Sequence, residues 1–362
     1  MRCFPRSRLI GATFLGTVAM AAAFAMSNAA LAQLSLTPSA EPKTTTQKPA
    51  APKPAARAKT TFKAIEQKKP AEQPSSASPE TDDPKVDLAY GAYQVGLYRT
   101  ARDIAAARAE KGDVKAMALL GELYANANGM GIKRDDAKAV EWYSRAADRG
   151  DREAMFALAM LKIAGRGGPA DRNEAAKLLA SSAKLGKAAA AYNLGLLYLE
   201  GQTFPQDLKR AAELFRQAAN AGNAEAQYAL ATFYKEGRGV EKDLTEAAKL
   251  LRAAAIADNV DAEVEYAIAL YNGTGTPKDV PTAVALLNRA ARQNSPIAQN
   301  RLAWVLINGQ GAPMDKIEGF KWHLIAKTAG KGDPDLDAQL AQLTPIDRAK
   351  AEAGAKKWFG LK

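Results

Sequence analysis

The chain has 362 residues, 47% of them apolar, and a formal net charge of +11. One cysteine and one histidine exclude a disulfide framework and a Cys/His zinc cluster, so neither a cofactor nor a metal is expected. The basic excess is dispersed, without the dense lysine and arginine run that nucleic-acid binding uses, and no nucleic acid is expected as a partner.

The first element is a leader. Arg2, Arg6 and Arg8 precede an apolar run from about Leu9 to Met26, and Ala30-Leu31-Ala32 then offers small residues two apart. That build predicts a secretory signal peptide over 1–32, cleaved near Ala32, with no stop-transfer pattern behind it. A periplasmic location follows from this reading, with membrane association only if the leader is retained. Cys3 falls inside the leader, so the mature chain would be held together by packing alone.

From Gln33 to Pro84 the chain places 9 of its 18 prolines, and Phe62 and Ile65 are nearly the only large apolar residues there. Such a segment buries too little surface to offset ordering, which predicts an extended, disordered linker over 33–84. The leader contributes +3 and the linker +2, leaving +6 spread from Lys85 onward.

Beyond the linker the sequence repeats itself. Segments starting at Gly112, Gly150, Gly186, Gly222, Asp258 and Asn294 align, the first spacing being 38 residues and the others 36. Four residues into each stands alanine: Ala116, Ala154, Ala190, Ala226, Ala262 and Ala298. A large apolar residue follows at position eight and a small one at position nine, as in Leu230-Ala231, so each copy opens with an amphipathic helix. A glycine pair such as Gly237/Gly239 comes next, then an aspartate in every copy: Asp135, Asp171, Asp207, Asp243, Asp279 and Asp315. Glycine suits the end of one helix and aspartate the start of another. Glu174, Glu246 and Glu318, three residues after their aspartates, predict capping boxes in three copies. A ligand loop is normally built once, and this one is built six times; it reads as a joint.

Each copy is thus a helical hairpin too small to bury its own face, and stacking the hairpins predicts an all-α, right-handed α-solenoid. The boundaries read from the sequence are a partial repeat over 85–111, turning at Gly96, six repeats over 112–329 and capping helices over 330–362.

The pattern G-x3-A-x3-L-G-x2-Y, the G-x-G loop, the following aspartate and the A-A ending resemble Sel1-like repeats, relatives of the tetratricopeptide repeats. Gly222 to Ala257 is nearly a consensus copy. Local departures are Lys162 in place of tyrosine, Gly201-Gln202-Thr203 without its second glycine, and two extra residues in the first loop.

The chemistry of catalysis is not evident. His323 occupies the slot held elsewhere by Tyr143, Phe215 and Leu287, which reads as a packing position. No P-loop or nucleotide fingerprint appears, because the G-x-G loops follow helices and lack a Lys-Ser/Thr ending. Nothing singles out a carboxylate pair. We therefore expect no enzyme. By resemblance to tetratricopeptide solenoids, the first helix of each hairpin lines the groove, and Phe156, Asn193, Lys235, Tyr271, Arg301 and Trp304 become the expected partner-binding residues. Tyr192 and Tyr228 share those positions, although aromatic residues there also suit inter-repeat packing. The expected function is a non-enzymatic periplasmic adaptor that holds a segment of another envelope protein or peptide. The resemblance implies signalling or envelope-assembly partners. The alternatives are a spacer or oligomerisation unit whose basic linker binds anionic wall polymers, or an envelope glycan or peptide hydrolase.

Overall fold

The computed structural model describes residues 87–127 and 131–361; the predicted leader and linker lie outside them. The described residues form helices and turns, without strands. A leading hairpin pairs α1 (Leu88–Gln94) with α2 (Tyr98–Glu110), turning through Gly96 as expected. Six hairpins follow, each a first and a second helix: α3 (Val114–Ala125) and α4 (Asp136–Ala147); α5 (Arg152–Ala164) and α6 (Arg172–Lys184); α7 (Ala188–Glu200) and α8 (Leu208–Asn220). They continue with α9 (Ala224–Glu236) and α10 (Leu244–Ile256); α11 (Val260–Asn272) and α12 (Val280–Arg292); α13 (Pro296–Asn308) and α14 (Lys316–Thr328). The chain closes with α15 (Pro334–Ala341) and α16 (Pro345–Trp358). None of these helices is long and apolar enough to cross a membrane.

Every first helix packs between its own second helix and that of the preceding hairpin. The alanine four residues into each copy lies at this crossing, at most 2% exposed in all six. The small residue at position nine has a matching cause. A Cβ on Gly195 would come within 2.7 Å of the Phe215 ring, and one on Gly121 within 2.5 Å of Tyr143. The second helix sends an aromatic ring into the space that a missing side chain leaves, and close packing of this kind holds the hairpin shut.

Two glycines in the fourth copy explain the loop. Gly237 takes φ 76° and ends α9 with its amide donating to the Phe233 carbonyl, which an L side chain would resist. Gly239, at φ 66°, lies against the Leu208 carbonyl at the start of α8, where a Cβ would overlap the backbone. The loop is therefore pressed onto the preceding repeat, and its glycine serves contact rather than ligand binding.

The predicted capping boxes are a partial miss. Asp171, Asp243 and Asp315 do accept from the amides of Glu174, Glu246 and Glu318, each at 2.9 Å. The glutamates do not reach back. Each aspartate amide already donates to a carbonyl of the first helix, Lys162, Tyr234 and Leu306 respectively, at 2.9–3.0 Å. The freed glutamates instead pair with Lys177, Lys249 and Lys321. The same aspartate-to-first-helix bond closes all six joints.

At the far end α16 packs on α14, with Trp322 and Trp358 meeting edge to face at 5.0 Å. His323 is fully buried, as its slot implied, and its Nε2 lies 2.8 Å from Asp337 Oδ1 on α15. Lys327 also donates to that oxygen, at 2.8 Å, and the Lys327 and His323 bonds hold the Asp337 carboxyl below its ordinary value.

Candidate functional site

The first helices present one side chain row after another at positions six, seven, ten and thirteen of the copies. All six residues expected there are partly buried, none fully covered. They do not act alike. Phe156 on α5 lies under the Lys187 ammonium, 5.5 Å from its ring centroid. Asn193 on α7 turns its amide back to the Ala189 carbonyl at 2.8 Å, a bond within its own helix.

The next three reach across to a neighbouring unit. Lys235 on α9 pairs with Glu265 on α11 at 2.9 Å. The Tyr271 hydroxyl on α11 donates to Gln310, in the loop after α13, at 3.2 Å. Trp304 on α13 donates from Nε1 to the Asp333 carboxylate at 2.9 Å, and Asp333 also caps α15. Trp304 thus has a structural task that its sequence position does not reveal. Arg301 makes no hydrogen bond or ion pair among the described residues.

Tyr192 and Tyr228 sit at the same level and are more deeply set. Tyr192 packs 5.7 Å from the Phe215 ring, a contact within its own hairpin. Burial foremost, then the Glu265, Asp261 and Glu236 charges, push the Tyr228 phenol well above its ordinary range. Burial and then Glu225 do the same to Tyr192 to a smaller degree. These carboxylates flank the row and were not singled out from sequence, because no motif marks them; their position in the copy was the available signal.

Elsewhere on the surface, two open depressions lie between a second helix and the loop of the following repeat. One, of about 600 Å³, is lined by Pro281, Val284, Arg289 and Arg292 of α12 with Gly311 and Pro313. The other, of about 330 Å³, places Lys209, Glu213 and Arg216 of α8 against Tyr234 and Val240. Neither gathers a nucleophile and a base, and no group of three His, Cys, Asp or Glu side chains among the described residues is arranged to hold a metal.

Comparison with known proteins accords with this geometry. A model of the Sel1 repeat matches residues 114–151, 152–187, 188–223, 224–259, 260–295 and 296–331. A Sel1 repeat protein from Oxalobacter formigenes is 25% identical with a TM-score of 0.57, over 66% of this chain and 94% of its own. The protective antigen c5321 of uropathogenic Escherichia coli, described as displaying an SLR fold, is 25% identical with a TM-score of 0.51, over 72% of this chain and 64% of its own. No curated protein matches the sequence significantly.

Proposed function

Because the chain belongs to the Sel1 repeat family, whose solenoids generally serve as protein–protein interaction scaffolds, we propose that it is a non-enzymatic adaptor holding a segment of an envelope protein against its first-helix face. One observation carries the reading. Arg301 stands on that face with its guanidinium making no hydrogen bond or ion pair among the described residues, while Lys235, Tyr271 and Trp304 are tied to the next unit. Rigid, partly buried aromatic area beside an available donor fork is the make-up of a peptide-binding surface. The periplasmic location is part of the proposal and is supported by the arginine-led apolar leader and its small-residue ending.

The test places a photo-crosslinking residue at position 301 in the full chain in cells, with a control at Lys316, exposed at the start of α14. A discrete protein adduct from 301 and none from 316 is the expected result, weakened in a W304A background. Equal capture from both faces, or none, would remove the adaptor reading. Export is checked separately by whether a reporter enzyme active only in the periplasm works when fused behind residue 86.

A further inference from the structure

We infer that the segment received by the first-helix face carries a lysine or arginine beside its apolar anchors, because the middle of that face is acidic on a chain that is otherwise cationic. The inference rests on the groove reading above and names the chemistry of what the groove would hold.

The face changes character along the solenoid. On α5 and α7 it is apolar, through Phe156, Met160, Tyr192 and Leu196, all partly buried. On α9 and α11 it turns acidic. Glu225 and Asp261 are exposed and form no ion pair among the described residues. Glu265 is paired with Lys235 at 2.9 Å, which leaves Glu225 and Asp261 uncompensated. Three carboxylates therefore meet one ammonium. On α5 the corresponding Glu153 is engaged by Lys187. On α13 the row holds Ile297, Arg301 and Trp304, with no acid. The acidic stretch thus lies between an apolar stretch and an arginine.

Beyond burial, the Glu265, Asp261 and Glu236 charges act on the Tyr228 phenol, and the Glu225 charge acts on that of Tyr192. Aromatic faces bordered by carboxylates attract a cationic side chain through both the ring quadrupole and the charge. The sign opposes the bulk of the molecule, whose net charge is +11. Binding governed by overall charge would select acidic ligands, so preference for basic ones has to come from this local stretch.

The experiment pans a random dodecapeptide library on phage against the full chain and against E225Q/D261N, two changes at exposed helix positions that keep side-chain size. The expected pool from the unaltered protein is enriched in lysine and arginine next to aliphatic or aromatic residues. A synthetic peptide from that pool should bind E225Q/D261N about tenfold more weakly, the loss expected for removing charge complementarity at a partly exposed site. A pool with no basic enrichment, or one equally basic on E225Q/D261N, overturns the inference and leaves the groove reading standing. An acidic pool overturns it in favour of bulk charge. Failure to enrich any peptide overturns the inference, and the crosslink from position 301 decides the groove reading independently.

Discussion

The third and fourth repeats share a fold and differ in how they are fastened. In the fourth, Asn223 caps α9 by accepting from the Ala226 amide at 2.7 Å, and Gly239 lets the loop lie on the start of α8. In the third, Lys187 heads α7 with no side-chain cap, and Thr203 replaces the second glycine with its hydroxyl buried and unpartnered. Phe204 compensates by stacking on Tyr198 at 5.0 Å, and Gln206 donates to the Leu199 carbonyl at 2.8 Å. Both repeats nevertheless close with the aspartate clasp, Asp207 to Tyr198 at 3.1 Å and Asp243 to Tyr234 at 3.0 Å. The glycine loop is one way to bring the clasp together; an aromatic stack is another.

The largest effect should come from the ring that joins the two repeats. Phe215 is fully buried between Tyr192 and Phe233, and F215A should destabilise by about 4 kcal/mol, the usual scale for a buried phenylalanine. Urea titration followed by helical circular dichroism checks it, and a loss below about 1 kcal/mol would show that the junction collapses into the gap. Gly239→Ala comes next. It meets backbone and forces a left-handed conformation on an L residue, and about 3 kcal/mol is expected. T203A, at the equivalent site of the third repeat, should be close to neutral, since it removes an unsatisfied buried hydroxyl. If the two substitutions behaved alike, the two modes of closure would be energetically the same.

The fifth repeat offers a third departure. Where the fourth and sixth copies use Gln227 and Gln299 to donate to the Ala219 and Ala291 carbonyls, the fifth has Glu263, only 1% exposed, which has no proton to give when ionised. Arg289 substitutes. Its Nε donates to Glu263 at 2.6 Å and its Nη2 to the Ala255 carbonyl at 3.3 Å. R289A should cost about 2 kcal/mol, less than a fully enclosed pair because the guanidinium is half exposed. E263Q in the R289A background should recover much of the loss by restoring the fourth repeat's arrangement. A double-mutant cycle showing simple additivity would discard this account.

The repeat phase, the hairpins, the turn at Gly96 and both terminal cap helices were legible because each rests on local chemistry that recurs: alanine at a crossing, glycine at a helix end, aspartate at a helix start. What escaped was long-range. The glutamate leg of the capping box was lost to a carbonyl one helix away. Trp304 was drawn to Asp333, beyond the repeat array, and the carboxylates around Tyr228 come from α9 and α11. A copy-by-copy reading gives the position of each such residue but not its partner, which the pattern of the copy does not name.

The smallest predicted effect isolates capping itself. N223A should cost about 1 kcal/mol, because the Ala226 amide loses the acceptor that the first turn of α9 depends on. Lys187→Ala removes no cap. It takes away an exposed contact with Glu153 and the cation over Phe156, each worth about 0.5 kcal/mol or less at a solvated site. In a stacked array the units need not unfold together, so global denaturation would blur so small a difference. Hydrogen exchange resolves it: the Ala226 amide should lose protection in N223A, whereas the Ala190 amide, which donates to the Lys187 backbone carbonyl at 3.1 Å, should keep it in Lys187→Ala. Equal loss at both amides would mean that the first turn is held by tertiary packing in both repeats and that the cap in the fourth is incidental.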